Sequence, residues 1–394
     1  MDKSIDNIKG NKCLIVANEI GIGAPGIVFE TIIKELSKKF TISIISPSVK
    51  KGSLPLNVEV LPSVGKGFER VRLTMLSFKV FGKNLLDHYW LWRQKKIIDE
   101  DEIKSVSVII SFVSNEHYKG LILGHYLSKK YNKKWLVYSV DAIPAPIEWT
   151  NDHKYRDNTI KYVRKYLLES DAFFSSNPQM LAYQLNLLAN YKGYSGVVFT
   201  PIKNTEMVVS GEVHKSDTTI LYTGSIYGPR KIDTIIEGFK LFLAKKPQSK
   251  IIFVGCRQTK VLEAYSDLIK EGKIEIHGFS SDLSSYYKEA DILLDVNAYF
   301  DNDVFLSSKI INYLPVQKVI LSVTGENSPT RICFQDDDTI IHCKHDSMEV
   351  KDMLIKAANM SNNDYRVREK HVEMMSVSSV TSELVKTINR MSVI

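Results

Sequence analysis

The sequence lacks the features that mark membrane-spanning, secreted and metal-binding proteins. No apolar run approaches the roughly 20 residues that a membrane-spanning helix needs. The polar N-terminal segment MDKSIDNIKGNK has no signal-peptide core. The 4 cysteines, Cys13, Cys256, Cys333 and Cys343, show no metal-ligand spacing. We therefore expect reduced thiols in a cytoplasmic protein and no metal site.

The composition is that of a soluble globular protein large enough for two domains. The 394 residues are 44% hydrophobic and 25% charged, which is ordinary for such proteins. A chain of this length is long for one hydrophobic core and suits two domains of similar size. No repeat or low-complexity segment interrupts it.

Positive charge is concentrated in one segment. Between Val60 and Trp135 there are fourteen Lys or Arg against seven Asp or Glu, an excess equal to the net charge of +7 for the whole chain. Apolar side chains are interleaved with these cations, at Phe68, Met75, Phe78, Phe81, Tyr89, Trp90 and Trp92. The segment fits an anionic membrane surface, and equally a helical hairpin with core aromatics and solvated charges. No nucleic-acid motif accompanies it, so we predict no nucleic-acid partner.

Strand-like and helix-like segments alternate through both halves of the chain. The first half contains seven short β-forming runs: Cys13–Ala17, Thr41–Ser46, Val58–Leu61, Val106–Ser111, Trp135–Val140, Ala172–Ser176 and Val197–Thr200. The second half contains six more: Thr219–Thr223, Lys250–Val254, Ile274–His277, Asp291–Asp295, Lys318–Ser322 and Thr339–His342. Such alternation predicts parallel sheets covered by helices on both faces.

The fold class predicted is therefore α/β, with two Rossmann-like, doubly wound parallel-sheet domains that face each other across a cleft. The predicted divisions are an N-terminal domain over 1–200, a polar linker over 201–217 and a C-terminal domain over 218–375. A last helix over 376–394 is expected to pack back on the N-terminal domain. The glycine loop after Ala17 is not a strict GxGxxG, so a dinucleotide site is not indicated.

The segment 218–243 combines a strand, a glycine loop and an amphipathic helix. The apolar run Ile220–Thr223 ends at Gly224, and helical spacing of apolar residues resumes from Ile232. Arg230 and Lys231 lie where this helix is expected to begin, although a helix start already carries positive charge. Two cations there favour an anion-binding site, and the alternative is a solvated basic turn.

The order of motifs in residues 218–325 resembles the donor domain of GT-B glycosyltransferases, particularly family 4. GSIYGPRK from Gly224 opens it, IIFVG and IEIHGF follow, and SSKIINYL from Ser307 with KVIL resembles the family's donor motif. The N-terminal half agrees only in layout. The resemblance implies a nucleotide-diphosphate sugar, UDP- or GDP-linked, as the donor substrate and no permanently bound cofactor. It implies no metal, because basic side chains and a helix N-terminus meet the charge of the departing diphosphate.

The resemblance also implies which residues form the site. Arg230 and Lys231 match the family's phosphate-binding cations. A predicted helix begins with Ser307, Ser308 and Lys309, and their backbone N–H groups could hold a phosphate or ribose oxygen. Ser308 alone fits an ordinary helix cap. The remaining implied positions are Gly224, Gly26 in the glycine turn, Phe279 near the nucleobase, Asn312 near the ribose, and Asp141 facing the donor sugar. For Asp141, the alternative is a turn-forming residue before Pro144.

Three residues depart from the family pattern. Asn312 stands where family members carry a ribose-binding Glu, and an amide lacks the charge that strengthens such a bond. Val304 replaces a second Glu, and Ile27 replaces a glycine. Glu116 and His117 follow a predicted strand and are further site candidates, or residues of a solvated loop.

The function expected is that of a retaining, metal-independent glycosyltransferase in bacterial surface polysaccharide synthesis. Its acceptor would be a glycan, lipid-linked if the basic segment contacts the cytoplasmic face of the membrane. One alternative is a non-catalytic nucleotide- or glycan-binding homologue that acts as a partner subunit. Another is a sugar-nucleotide epimerase, which would need acid and base residues that the sequence does not place.

Overall fold

The computed structural model describes residues 11–65, 71–114, 118–149, 155–202, 204–208, 217–226, 228–256, 260–361 and 364–392. The chain divides into two compact units. Unit 1 comprises Met1–Pro201 and Val377–Ile394, and unit 2 comprises Ile202–Ser376. Each unit contains one parallel β-sheet with helices packed against it. No helix in the described part of the chain is long and apolar enough to cross a membrane.

Unit 1 is built on a seven-stranded sheet in the order β3-β2-β1-β4-β5-β6-β7. Its strands are β1 (Lys12–Ala17), β2 (Thr41–Ile45), β3 (Val58–Val60), β4 (Val108–Val113), β5 (Lys134–Ser139), β6 (Ala172–Ser175) and β7 (Tyr194–Val197). Its helices are α1 (Gly23–Leu36), α2 (Val71–Phe81), α3 (Leu85–Gln94), α4 (Glu100–Ser105), α5 (Lys119–Tyr131), α6 (Arg156–Leu167) and α7 (Pro178–Leu188). The central strands β1, β4 and β5 are buried along almost their whole length because both faces of the sheet are covered.

Unit 2 is built on a six-stranded sheet in the order β10-β9-β8-β11-β12-β13. Its strands are β8 (Thr219–Thr223), β9 (Lys250–Val254), β10 (Ile274–His277), β11 (Ile292–Val296), β12 (Val319–Val323) and β13 (Ile340–Cys343). Its helices are α8 (Asp233–Leu243), α9 (Lys260–Glu263), α10 (Ser266–Lys270), α11 (Ser284–Glu289), α12 (Ser308–Tyr313), α13 (Pro329–Cys333), α14 (Ser347–Asn359) and α15 (Arg366–Met374).

The chain returns to unit 1 through its last helix, α16 (Val377–Ser392). Val380, Leu384 and Ile388 repeat at helical spacing and are buried in the same hydrophobic core as α1 and one face of the first sheet. Residues from both ends of the sequence therefore complete the core of unit 1.

A buried ion pair fixes α15 to the sheet of unit 2. Arg368 is fully buried, and its Nε donates to Asp337 Oδ2 at 2.9 Å. A second guanidinium nitrogen donates to the carbonyl of Lys318 at 3.1 Å, and a third donates to Thr339 Oγ1. Removal of either charge would leave the other buried without an ionic partner, which is strongly destabilising.

The two parallel sheets confirm the predicted α/β fold class, and most strands lie within two residues of their predicted ends. The prediction for the last strand of unit 1 is wrong. The strand is Tyr194–Val197, not 197–200, because only these residues pair with the neighbouring strand β6. Val198 and Phe199 contribute apolar side chains to the core after the strand has ended, which is why they resembled a strand. Part of the predicted linker lies outside the described residues.

Candidate functional site

The strongest candidate site lies in unit 2, where β8 leads into α8. Gly224 follows β8 with φ +93°, a conformation that favours glycine, and its N–H donates to the carbonyl of Val254 at 2.8 Å. Helix α8 begins at Asp233, so Arg230 and Lys231 precede the helix rather than start it. The N-cap residue, Ile232, makes no side-chain cap to α8. The N-terminal end of α8 and two cations therefore lie close together in sequence and space.

The side chain of Lys309, a residue of α12, packs against the loop that begins at Gly224. A Cβ added to Gly224 would lie 3.0 Å from Lys309 Cε, so the lysine side chain passes directly over the glycine. Burial and, to a smaller extent, the charge of Arg230 lower the pKa of Lys309 to about 8, while Asp295 opposes the change. The lysine Nζ lies 5.4 Å from the centroid of the Tyr222 ring. Two like charges held together in a partly buried place form a field that an anion would relieve.

The start of α12 is fixed by Ser307 rather than Ser308. The Ser307 hydroxyl accepts from the Lys309 N–H at 3.3 Å and donates to Asp295 Oδ1 at 2.6 Å. It is therefore the N-cap of a helix of six residues, whereas Ser308 is its exposed first residue. The interpretation of Ser308 as the cap is corrected by one position. Because the Ser307 hydroxyl is engaged with the protein, its role in the fold is to hold Lys309 beside Gly224.

Lys231 is held on the other side of the loop. Its Nζ lies 3.7 Å from the centroid of the Tyr299 ring, and the Tyr299 N–H donates to the carbonyl of Pro229 at 3.3 Å. The imidazole of His345 lies against the backbone of Lys231, and burial lowers its pKa. Neither Tyr299 nor His345 is predicted from the sequence, because both come from loops after other strands of the sheet.

Three strand ends of unit 2 meet beside Gly224. Gly255 follows β9 with φ +72°, and a Cβ there would lie 3.8 Å from Phe279 Cα and 3.9 Å from Gly224 Cα. Phe279 follows β10, and its side chain is 88% exposed. We call the segment between β8 and α8 that carries Arg230 and Lys231 the cationic loop. An exposed aromatic ring beside it is a surface on which a planar base could stack. The structure thus brings Gly224, Phe279 and Lys309 to one edge of the sheet.

A cavity of about 360 Å3 adjoins this edge. Thr223 lines it next to Gly224, and Asn312 lines it three residues along α12 from Lys309, so the cavity continues from the cationic loop. The other lining residues are Ile202, Asn204, Glu206, Val208, Ser281, Asp282, Leu283, Ser284, Tyr287, Pro315 and Val316. Glu206 and Asn204 come from the polar stretch predicted as a linker, and no sequence signal assigned them to a site.

The predicted residues of unit 1 that the structure describes lie in two separate places, the loop after β5 and the first turn of α1. Asp141 follows β5 by two residues, and its carbonyl accepts from the Ser139 hydroxyl at 2.6 Å. The next turn is fixed by Gln184, whose side chain bonds both backbone groups of Ile143, at 3.0 and 2.6 Å. Asp141 is therefore a half-exposed carboxylate at the start of a well-anchored loop.

Gly26 lies inside the first turn of α1, where it is buried. Its carbonyl accepts from the Gly21 N–H at 2.8 Å, and a Cβ at Gly26 would lie 3.3 Å from that nitrogen. A side chain at this position would therefore press on the loop that closes against α1. Glu116 and His117 lie outside the described residues.

No group of three or more His, Cys, Asp or Glu side chains that could hold a metal ion is found in the part of the chain that the structure describes. Asp301 and Asp303 have an Asp-x-Asp spacing, but Asp303 is buried and accepts from the N–H groups of Val304 and Phe305 at 2.8 and 3.2 Å. Its carboxylate therefore shapes a turn. Metal independence remains a prediction.

Comparison with solved structures bears on the fold. HepE of Anabaena, solved with UDP and glucose, matches with a TM-score of 0.64 at 9% identity, over 95% of this chain and 99% of that one. Sucrose-phosphate synthase from Thermosynechococcus elongatus matches at 0.64 and 10% identity, over 96% and 98%. The chain has the GT-B fold. The α,α-trehalose 6-phosphate synthase of Burkholderia multivorans matches at 0.63 and 10% identity, over 97% of each chain.

These identities are low enough that the likeness shows the fold alone. No family model matches the chain, and no curated protein matches it. The comparison leaves the predicted membership of family 4 unconfirmed.

Proposed function

We propose that the protein is a retaining, metal-independent glycosyltransferase, related to family 4, that moves a sugar from a UDP- or GDP-sugar to a glycan acceptor. The observation that carries the proposal is the packing of the Lys309 side chain over Gly224, in a place where burial and the charge of Arg230 both lower the pKa of the lysine. A protein bears the cost of like charges held together where they bind an anion. The structures matched by the fold include one solved with UDP-glucose.

In this proposal the cations act on the departing diphosphate. Cleavage of the bond between sugar and diphosphate builds negative charge on the leaving oxygen. Arg230, Lys231 and Lys309, with the N-terminal end of α8, supply a fixed positive field for that charge. Gly224 has no side chain of its own, so the Lys309 side chain can pass over the backbone there and meet the diphosphate. Ser307 fixes the start of α12 and so places Lys309, and the backbone N–H of Ser308 would hold a phosphate or ribose oxygen.

The remaining predicted residues would orient the donor. The exposed ring of Phe279 would stack on the base, and Asn312 would accept a ribose hydroxyl in the adjoining cavity. Asp141 would orient a hydroxyl of the donor sugar or stabilise positive charge at its anomeric carbon. Gly26 would let the donor approach the backbone at the start of α1, where the Gly26 carbonyl accepts from the Gly21 N–H.

The acceptor side of the proposal involves the hairpin of α2 and α3. Phe78 and Trp90 are buried in the core, as the alternative interpretation of a helical hairpin with core aromatics expects. The outer face, however, exposes six large apolar side chains by 43% to 60%: Leu73, Leu76, Val80, Phe81, Tyr89 and Trp92. Exposed cations border them, at Arg72, Lys79, Lys83, Arg93, Lys95 and Lys96.

Such a face fits an anionic membrane that carries a lipid-linked acceptor. The apolar side chains would enter the headgroup region, and the cations would attract anionic lipid. The proposed place of action is accordingly the cytoplasmic surface of a bacterial membrane, in the synthesis of a surface polysaccharide. The aromatic pair of Tyr89 and Trp92, stacked with centroids 5.9 Å apart, would lie at the interface.

The first experiment tests the phosphate loop. Arg230→Ala with Lys231→Ala should remove the thermal stabilisation that UDP, GDP or a nucleotide sugar gives to the wild type. Each lost charge-assisted contact should weaken binding by roughly 1.5–3 kcal/mol. The matched control is Lys245→Ala with Lys246→Ala, because these two cations follow the opposite end of the same helix. Equal nucleotide binding in the two double variants would contradict the assignment.

A second experiment separates enzyme from binding protein. Asn312 and Val304, which stand in place of carboxylates, favour the alternative of a non-catalytic partner subunit. Slow release of free UDP or GDP from the nucleotide sugar without acceptor would support catalysis. Nucleotide-sugar binding with no release, and no transfer to any glycan acceptor, would support the binding protein.

A third experiment tests the membrane face. Binding to anionic vesicles should weaken as salt rises, because the Debye length falls from about 10 Å at 0.1 M to about 3 Å at 1 M. The residual binding should depend on Phe81 and Trp92. Charge reversal at Lys79, Lys83, Lys95 and Lys96 should lower vesicle binding without lowering nucleotide affinity. Reversal of four exposed lysines of unit 2, Lys245, Lys270, Lys288 and Lys356, is the control. Equal binding to neutral vesicles would refute the electrostatic part.

A further inference from the structure

The cavity beside the cationic loop contains a carboxylate that comes from a distant part of the sequence. Glu206 lines it together with Asn312, although the two are far apart in the chain. In the described part of the chain, no Lys or Arg forms a salt bridge with Glu206. The cavity volume of about 360 Å3 lies within the range of small-molecule sites, and many of its lining side chains carry hydrogen-bonding groups.

The segment that carries Glu206 is anchored to unit 2. The Val208 N–H donates to the carbonyl of Pro315 at 2.8 Å, and the Gln317 N–H donates to the carbonyl of Val208 at 3.1 Å. These bonds form a parallel bridge between Val208 and Val316. The Glu206 N–H donates to Asn204 Oδ1 at 3.0 Å, which fixes the turn before the bridge. Hydrogen bonds on both sides, to the Asn204 side chain before it and through the Val208 backbone after it, therefore hold Glu206 at the cavity.

The position of the cavity beside the cationic loop indicates the class of ligand that it would bind. Thr223 is bonded to Gly224 in the chain, and Lys309 and Asn312 are neighbours on one face of α12. The cationic loop and the cavity are therefore about one helical turn apart. A ligand whose anionic group is held at the loop would place its adjoining part in the cavity. A hydroxyl-bearing ring attached to a phosphate meets both requirements. A carboxylate accepts two hydroxyl hydrogens, whereas the Asn312 amide oxygen is a weaker acceptor.

We infer that Glu206 binds the vicinal hydroxyls of the ribose of a nucleoside diphosphate, with Asn312 beside it. The inference rests on the proposed function, since it assigns a further residue to the same donor site. It makes Glu206 a determinant of the choice between ribose and deoxyribose. With Asp282, Glu206 gives two acidic residues to a cavity in which Asn stands at position 312.

The test is calorimetric binding of four probes to the full-length protein: UDP, GDP, the 2′-deoxy form of whichever binds more tightly, and inorganic pyrophosphate. Glu206→Gln keeps the shape of the side chain and removes its charge. We expect this variant to bind the ribonucleotide on the order of tenfold more weakly. Pyrophosphate binding should be unchanged or tighter, because a negative charge near the anion has been removed. Glu271→Gln, at an exposed carboxylate that does not line the cavity, is the matched control.

The deoxynucleotide makes the test specific to the ribose. Wild-type protein should prefer the ribonucleotide, and Glu206→Gln should lose most of that preference. An unchanged ratio between ribo- and deoxynucleotide, or an equal loss of pyrophosphate binding, would overturn the inference while leaving the proposed function in place. If wild-type protein binds pyrophosphate but no nucleotide, or none of the probes, the proposed function fails together with it.

Discussion

Replacement of Lys309 by Met should stabilise the ligand-free protein and abolish donor binding. The lysine ammonium is held beside Arg230 in a partly buried place, and its pKa is lowered from 10.5 to about 8. A lowering of that size corresponds to roughly 3 kcal/mol by which folding is opposed at neutral pH. Solvent screening reduces the figure, so we expect a gain of about 1–3 kcal/mol for Lys309→Met.

The pH dependence gives the sign of the effect. Because the lysine pKa is lower in the folded state than in the unfolded chain, the cost is fully present below pH 8. It fades as the pH rises from 8 towards 10.5, because the folded state then holds a neutral amine. The advantage of Lys309→Met over wild type should therefore be largest at pH 7 and shrink through pH 9 and 10.

The assay must follow unit 2 separately. All 4 tryptophans, Trp90, Trp92, Trp135 and Trp149, belong to unit 1, so their fluorescence reports that unit. Hydrogen exchange of the β8 and β12 amides in increasing urea would report unit 2. The control is Lys318→Met, at another buried lysine of unit 2 whose pKa burial lowers, and which does not line the cavity. Lys318→Met should keep nucleotide binding.

Two results would refute this reasoning. If Lys309→Met is less stable than wild type at pH 7, the ammonium contributes to the fold and is not held there at a cost. If Lys309→Met keeps the nucleotide affinity of wild type, the lysine is not part of the donor site.

The affinity for UDP or GDP should be flat below pH 8 and fall by up to about tenfold per pH unit above it, because Lys309 must be protonated to meet the diphosphate; isothermal titration at pH 7, 8 and 9 checks this, and a flat profile would contradict it. Arg368→Met should cost about 3–5 kcal/mol, since Asp337 would be left buried and unpaired; urea unfolding of unit 2 measures it, and the addition of Asp337→Asn should recover part of the loss. Sugar transfer should survive EDTA, since Arg230, Lys231 and Lys309 supply the charge that a metal supplies elsewhere; turnover lost with EDTA and restored by Mg²⁺ or Mn²⁺ would show a metal requirement.

The strand pattern was predictable because the central strands carry their own signal. In the second half, Thr219–Thr223, Lys250–Val254 and Ile274–His277 have the predicted bounds, since short runs rich in β-branched residues favour a strand over a helix. The edge strand β7 was misplaced because its residues are more exposed than the apolar residues that follow it. An edge strand is decided by which residues find a partner, and that partner is remote in sequence.

The site divides in the same way. Local sequence alone determines that a glycine turn and two cations come between β8 and α8. Only the tertiary structure places Lys309 over Gly224 and Tyr299 under Lys231, because these contacts join residues that are tens of positions apart. The lowered pKa of Lys309 follows from that packing and has no sequence signature.

The sequence by itself determined that this protein is a two-sheet α/β chain with a cationic glycine loop. Periodicity, turn residues and charge are local properties, so they can be identified in the sequence without knowing which distant residues are in contact. The tertiary structure decided which polar residues share the cavity. Glu206 belongs to a stretch that looks like a linker, and it reaches the cavity through the bridge between Val208 and Val316. A backbone pairing between remote segments costs chain entropy and is specified by the whole fold, so no window of sequence could contain it.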